Sequence, residues 1–313
     1  MTAANWQVVI VQFVADTLFK TLVVVPVLGG LVLVALVAGG NPIDLIRFDD
    51  LSQTISAMVG VLLAHPVALA AFLTALGVIL AGGSVLMFAV KAGSVTILLA
   101  GDRTAGLIEE PPLRFAAVKQ ANQATLERFT GGVKRLFPRY LRLGIALTIV
   151  YALVAGAYLA FLFGPPLSPL LDGPLTTTIA SLAVIIVITL VNFLYLLMQI
   201  MIAAEDCSVT EAVPHVVRLL RKRTKALAQV LAAILSLMLM ATAASILATT
   251  ALGLIAFVPF VGLAALPLQV FAWLVRGVVF QFVGLTGVAT YLRLHYALQP
   301  SGVRVPEGLR QGV

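Results

Sequence analysis

The densest group of chemically reactive side chains lies between residues 203 and 231, in the stretch AAEDCSVTEAVPHVVRLLRKRTKALAQVL. It contains Cys207, the single cysteine of the chain, and His215, one of three histidines. A cysteine and a histidine can act as nucleophile and base, but only when their side chains lie within hydrogen-bonding distance. The two are eight residues apart, which corresponds to about 12 Å along a helix. The spacing therefore argues against a catalytic pair.

Other signatures of reactive sites are missing from the sequence. His65, His215 and His295 fall in three separate segments, and none has the spacing of a zinc-binding motif. One cysteine is too few for a cysteine-based zinc site. Neither a G-x-S-x-G motif nor a Gly-rich phosphate loop occurs. We therefore expect no catalytic residues, no metal, no cofactor and no enzymatic activity.

The composition indicates what these residues are embedded in. Of the 313 residues, 61% are hydrophobic and only 11% are charged, whereas soluble domains carry about 25% charged residues. Mean hydropathy is +1.10. Lipid offers no partner to open backbone, so such a chain must cross the membrane as helices. The composition predicts an all-α, polytopic transmembrane helix bundle, with residues 1–313 as one domain.

Six apolar stretches approach the length of about 20 residues that a span requires. The predicted spans are 21–39, 67–88, 143–163, 179–203, 226–250 and 275–296. An outer interfacial helix is predicted at 51–64. Residues 254–272 are apolar but contain Pro259 and Pro267, which predicts an outer turn or a re-entrant segment. A further helix is predicted to precede the third span and to break near Gly131–Gly132.

The basic residues predict the orientation. Segment 101–142 holds eight of the 20 Lys and Arg residues, segment 205–225 holds five, and the C-terminal end holds three. The loops on the opposite side hold only Arg47. Because cytoplasmic loops carry the excess of Lys and Arg, both termini are predicted to be cytoplasmic. Segments 101–142 and 205–225 then face the cytoplasm, in a prokaryotic inner membrane.

Within this topology, the stretch that begins at residue 203 resembles the inner end of a membrane hairpin. Ser208 and Glu211 have the spacing of a capping box, which predicts a helix start. Pro214 predicts either a kink or a later start. Apolar and basic residues then alternate at helical spacing, as in interfacial amphipathic helices. The predicted lipid or partner contacts in the chain are Arg218, Arg221, Lys222, Lys225, Arg139, Arg142 and Arg276.

Arg276 differs from the others because it lies on the predicted sixth span. It precedes Arg293 by 17 residues, about 26 Å along a helix, which places it near the outer boundary. Three interpretations remain open: Arg276 extends outward to water, pairs with Asp44 or Asp172, or holds a lipid phosphate.

Other polar residues of the spans predict local contacts. Asp16 and Lys20 are four residues apart, in the favourable order for a helical ion pair. Asn192 and Gln199 lie on the predicted fourth span, where amides form hydrogen bonds between helices.

The segments AAEDCSVTEAV, RLLRKRTKALAQVL and GVATYLRLHYAL, within about residues 190–297, carry a family resemblance. The chain there resembles uncharacterised prokaryotic membrane proteins related to the membrane domain fused to glycerophosphodiester phosphodiesterases. The resemblance implies a helical membrane module. Nothing in the chain is similar to the hydrolase domain of those proteins, so it implies no catalytic residue.

These observations leave three hypotheses. The first is a scaffold, assembly factor or accessory subunit that contacts anionic headgroups and a partner protein or a second copy of itself, without nucleic acid. The second is a permease subunit that docks a separate ATPase through the segment beginning at Glu211. The third is a lipid-acting membrane enzyme that uses Arg276 or His65.

Overall fold

The computed structural model describes residues 2–38, 60–61, 63–105, 119–163, 174–256 and 261–297. This part of the chain contains six long helices and no strand: α1 (Trp6–Ala38), α2 (Pro66–Ala105), α3 (Leu126–Phe163), α4 (Pro174–Glu205), α5 (Val209–Ala256) and α6 (Val261–Ala297). All six are long and apolar enough to cross a membrane. The chain is an all-α, polytopic transmembrane protein, which confirms the predicted fold class.

The helices extend beyond the apolar stretches from which the spans were predicted. α3 begins at Leu126, ahead of the predicted span 143–163, and α5 begins at Val209, ahead of 226–250. α5 has a non-helical backbone at Arg223 (φ −138°, ψ 32°), which divides it into 209–222 and 224–256. The short first part is the helix that the capping box predicts.

Pro214 lies inside the first part of α5 and does not end it. The interruption of the helical backbone lies at Arg223 and not at Pro214, and the helix starts at Val209, directly after Ser208. The side chain of Pro214 is exposed. Thr210, whose carbonyl loses its helical hydrogen bond because Pro214 has no N–H, is exposed as well.

Two other predictions differ from the structure. Residues 261–272, predicted as part of an outer turn or re-entrant segment, belong to α6, which continues through Pro267. α3 runs without interruption through Gly131 and Gly132. Gly132 packs against the side chain of Thr96, where a Cβ would collide. Its lack of a side chain allows close packing rather than breaking the helix. The predicted interfacial helix 51–64 lies outside the described residues, except for 60–61 and 63–64.

The chain divides into two compact units, and residues 11–90 form the smaller one. Its helices approach closely at two glycines. A Cβ at Gly30 would lie 2.6 Å from the ring of Phe72, and Gly83 packs against the ring of Phe19 in the same way. The predicted ion pair is confirmed here, since Lys20 Nζ lies 2.6 Å from a carboxylate oxygen of Asp16.

The second unit comprises residues 1–10 and 91–313. Part of its core joins the start of α1 to α2 and α6 through five buried side chains: Val8, Val9, Ile97, Leu98 and Leu285. Buried Asn5 fastens the segment before α3. Its Nδ2 donates to the carbonyl of Ala121 at 2.8 Å, and its Oδ1 accepts from the backbone of Gln123 at 2.9 Å.

α3 and α4 are joined by a row of tyrosine hydrogen bonds. The pairs are Tyr158 Oη with Ser181 Oγ at 2.7 Å, Tyr151 Oη with Asn192 Oδ1 at 2.5 Å, and Tyr140 Oη with the Gln199 carbonyl at 2.9 Å. Residue numbers fall on α3 as they rise on α4, so the helices are antiparallel. The predicted contact of Asn192 is confirmed. Gln199 takes part through its backbone, and its side-chain Nε2 has no partner among the described residues.

α5 and α6 also pack antiparallel. Just beyond the kink of α5, buried Tyr291 of α6 donates from its Oη to the carbonyl of Leu227 at 3.3 Å. Further along, a Cβ at Gly287 would lie 2.9 Å from the Ile234 side chain. The register of these two contacts positions the rest of the helix pair.

Candidate functional site

The link between α4 and α5 is short and well anchored. Asp206 follows the last residue of α4 with a φ of 52°, a left-handed conformation that Asp tolerates better than most residues. The backbone N–H of Ser208 donates to Oε2 of Glu211 at 2.8 Å. The N–H of Glu211 donates to Oγ of Ser208 at 3.4 Å. The predicted capping box is therefore confirmed, and it sets the direction in which α5 begins.

Asp206 also ties this link to α3. Its Oδ1 contacts Nη1 of Arg139, and Nε of Arg135 lies 4.0 Å from the same oxygen. A left-handed residue at the end of α4 directs its carboxylate towards two cations that lie one helical turn apart on α3. Arg139, one of the predicted lipid or partner contacts, thus has an acidic partner within the protein.

Glu205 is the centre of a second polar contact. One carboxylate oxygen contacts Nδ1 of His215 on α5, and the other lies 3.4 Å from Nε2 of His295 on α6. The side chain of His295 is 8% exposed and that of Glu205 is 22% exposed. One carboxylate therefore joins the ends of three helices. The sequence analysis assigned no role to Glu205.

Cys207 lies beside this cluster and does not form a catalytic pair with His215. The Nδ1 atom of His215 faces Glu205, and the Cys207 thiol contacts the carbonyl of Met201 at 3.8 Å. Burial and the nearby Glu205 carboxylate raise the pKa of the Cys207 thiol. A raised pKa disfavours the thiolate, which is the nucleophilic form. The geometry thus agrees with the spacing argument against nucleophilic catalysis.

The next basic residues along the chain have a different environment. We define the α5 basic face as four exposed cations: Arg218, Arg221, Lys222 and Lys225. None of them has an ion-pair partner among the described residues. Arg223, at the kink, is also exposed. These positive charges are available to a partner outside the described part of the chain.

The first part of α5 has three sectors when viewed along its axis. Ala212 and Val216 are buried against the protein. Val213 and Val217 are exposed and follow on the adjacent side, since successive residues are separated by about 100°. The cations of the basic face that precede the kink come next, opposite the buried sector, whereas Lys225 lies beyond the kink. An exposed apolar sector beside a basic one is the pattern of a helix at a membrane surface.

The remaining two predicted contacts lie on other helices. Arg142 on α3 is exposed and, unlike Arg139, has no acidic partner among the described residues. Arg276 on α6 is exposed, and its Cζ lies 5.6 Å from the centre of the Phe280 ring. Asp44 and Asp172, the partners considered for Arg276, lie outside the described residues.

Arg276 also lines a half-open cavity of about 370 Å³ between α5 and α6. Its walls are mainly apolar and include several alanines of α5 and Trp273 of α6. The sequence placed Arg276 near an outer membrane boundary but did not predict a cavity there. The alanines of α5 do not by themselves show where α5 and α6 leave a space between them.

Within the described ranges, no group of three or more His, Cys, Asp or Glu side chains is arranged to hold a metal ion. No protein-family model, no curated protein and no solved structure matches the chain. The resemblance to the membrane domain fused to glycerophosphodiester phosphodiesterases stays a prediction. The candidate site therefore rests on the geometry of the α5 basic face and of its anchored link to α4.

Proposed function

We propose that this chain is a non-enzymatic, multi-pass protein of a prokaryotic cytoplasmic membrane, and that it acts as a scaffold, assembly factor or accessory subunit. Both termini lie in the cytoplasm. The first part of α5 lies on the inner membrane surface, where the α5 basic face contacts anionic lipid headgroups. A partner protein or a second copy of the chain binds at the same surface, where Arg142 offers a further exposed cation.

One observation carries the proposal: the α5 basic face is exposed and lacks acidic partners within the described part of the chain. Arg139 has the same charge but is held by Asp206. Each Lys or Arg near an anionic membrane surface contributes about 1 kcal/mol to the attraction. Four unpaired cations are therefore sufficient for a marked preference for anionic lipid.

The orientation is supported by the distribution of basic residues. Segments 101–142 and 205–225 carry 13 of the 20 Lys and Arg residues. Their basic content matches the positive-inside pattern, which applies to short connections next to spans. The anchored link between α4 and α5 then holds the basic face close to the end of a span, at the depth of the headgroups.

Native mass spectrometry of the full-length protein tests this proposal. The protein is released from nanodiscs that contain equal parts of phosphatidylglycerol and phosphatidylcholine. We expect the wild type to retain phosphatidylglycerol preferentially. A variant with Arg218→Gln, Arg221→Gln, Lys222→Gln and Lys225→Gln should lose that preference, by up to about a thousandfold in relative affinity.

A control variant carries Arg135→Gln and Arg139→Gln, which remove two cations rather than four. These substitutions also remove cations, but ones that face Asp206, so we expect the preference to persist. Equal retention of phosphatidylglycerol by the wild type and by the variant with four substitutions would contradict the lipid contact. A wild-type protein that is a stable monomer and retains neither anionic lipid nor another protein would overturn the proposal as a whole.

A further inference from the structure

We infer that the cavity between α5 and α6 is a binding site for a membrane phospholipid, with the lipid phosphate at Arg276 and one acyl chain along the apolar walls. The inference concerns a different surface from the α5 basic face. It depends on the proposed orientation only for the leaflet, which would be the outer one.

The cavity follows from the register of the two helices. Gly287 packs against Ile234, and on antiparallel helices the same register places Arg276 opposite Ser245. Both of these residues line the cavity. Around Ser245, the neighbouring wall residues on α5 include Ala244 and Ala248. Near Gly287, the Ile234 side chain fills the space between the two helices. The short side chains of Ala244 and Ala248 leave the corresponding space beside Arg276 empty.

The position along the helices matches the outer boundary of a bilayer. Arg276 is about 26 Å along the helix from Arg293, and Ser245 is about 30 Å from Lys225. These distances approach the thickness of the hydrocarbon core, about 30 Å. Trp273, half-exposed at the cavity wall, is also a residue type enriched where membrane meets water. Counted from these basic residues, the cavity lies at the level where a headgroup joins its acyl chains, and α5 and α6 continue beyond that level to Ala256 and Val261.

Charge complementarity identifies the class of ligand. Arg276 is a permanent cation with no acidic partner among the described residues. Its position beside the Phe280 ring orients the guanidinium group. Guanidinium groups bind phosphate through paired hydrogen bonds. Gln269 and Ser245, which also line the cavity, can bind the ester oxygens of a glycerophospholipid.

The size of the cavity agrees with a lipid segment. About 370 Å³ lies at the lower end of the range for small-molecule sites, about 300–1,000 Å³. The mainly apolar wall suits an acyl chain better than a polar solute. A free phosphate ion would bind to Arg276 but would leave the apolar wall uncovered. The geometry therefore favours a phospholipid over inorganic phosphate.

The test uses full-length protein in nanodiscs of phosphatidylcholine alone. This lipid is zwitterionic, so it carries the phosphate without the net charge that the α5 basic face attracts. Failure here is thus distinguishable from failure of the proposed function. Native mass spectrometry then measures how much phosphatidylcholine stays bound after release. We expect the wild type to retain one tightly held molecule.

Two variants remove different parts of the site. Arg276→Gln removes the charge, and Ala248→Leu fills the apolar space. Each should lower retention by at least about tenfold. Ala243→Leu is the matched control, because Ala243 is an exposed alanine of the same helix that does not line the cavity. It adds the same bulk and should leave retention unchanged.

Three results would overturn the inference. Retention unchanged by Arg276→Gln would exclude phosphate binding at that residue. Retention unchanged by Ala248→Leu would exclude the cavity as the site of the acyl chain. Displacement of the bound phosphatidylcholine by inorganic phosphate alone would show that the chain contributes nothing. Circular dichroism and gel filtration of each variant verify that it is folded.

Discussion

Two neighbouring parts of the chain carry many charges but differ in what those charges contact. Between residues 205 and 211, Glu205, Asp206 and Glu211 each contact a side chain or backbone group of the protein. Between residues 218 and 225, the α5 basic face has no partner among the described residues. The acidic residues between 205 and 211 position α5. The cations between 218 and 225 are available to a partner outside the described residues.

The difference shows that charge density alone does not reveal which charged side chains have a partner within the described part of the chain. Arg139 and Arg142 make the point on one helix: both are basic and three residues apart, but only Arg139 meets Asp206. Where a charge is neutralised internally, its substitution should change stability. Where it is not, its substitution should leave stability unchanged and alter binding.

The largest expected effect on stability is at Glu205. Replacing it with Ala removes the shared partner of His215 and of the mostly buried His295, so the free energy of unfolding should fall by about 2 kcal/mol. Glu205→Gln should cost less, since an amide still offers a hydrogen-bond acceptor. Unfolding titrations in sodium dodecyl sulfate measure both. Arg221→Ala, on the basic face, should stay within about 0.5 kcal/mol of the wild type.

The stability cost of Glu205→Ala should exceed that of Arg221→Ala. A cost for Arg221→Ala that equals or exceeds that of Glu205→Ala would mean that the basic face has a structural partner after all. Glu127→Ala is the matched acidic control, because Glu127 is exposed in the first turn of α3. It should also have little effect on stability.

A smaller effect is expected at the start of α5. Ser208→Ala removes the oxygen that accepts from the Glu211 N–H, which should lower the free energy of unfolding by about 1 kcal/mol. Ser208→Asp retains an N-terminal cap and should lose much less. Hydrogen exchange should localise the change to the first turns of α5. Faster exchange spread evenly over the whole chain would contradict a local capping role.

The smallest effect is expected for the ion pair between Arg139 and Asp206. Both side chains are partly exposed, so their coupling should be about 0.2–1 kcal/mol and should weaken with salt. A double-mutant cycle with Arg139→Ala and Asp206→Asn measures it. Asn is the appropriate replacement because it tolerates the positive φ. A coupling energy of zero at low salt would place Arg139 with the unpaired cations.

Contacts between residues close together in the chain were predictable from the sequence, and contacts between distant residues were not. The capping box needs only Ser208 and Glu211, three residues apart, and the ion pair of Asp16 and Lys20 is equally local. Length and hydropathy were enough to predict helical spans. These features depend on helical periodicity, which a single sequence displays directly.

The contacts at Glu205 depend on residues that are far apart in the chain. His295 is 90 residues beyond Glu205, and no periodic pattern connects them. The sequence analysis interpreted Gly132 as a helix break. Its contact with Thr96 of α2 involves a residue 36 positions earlier, so a short stretch of sequence around Gly132 cannot reveal it. The cavity beside Arg276 likewise requires the register of two helices. In each case the missing information is which helix packs on which.

In the proposed arrangement, the first part of α5 lies on the membrane surface with its basic face at the lipid headgroups. Spin labels at positions 213, 217, 218 and 222, introduced singly as cysteines into a Cys207→Ser background, report on this arrangement. Collision rates with oxygen and with a water-soluble nickel complex give the depth of each label. We expect positions 213 and 217 in the hydrocarbon boundary and 218 and 222 at headgroup depth. Equal exposure of all four labels to the nickel complex would contradict this placement of α5.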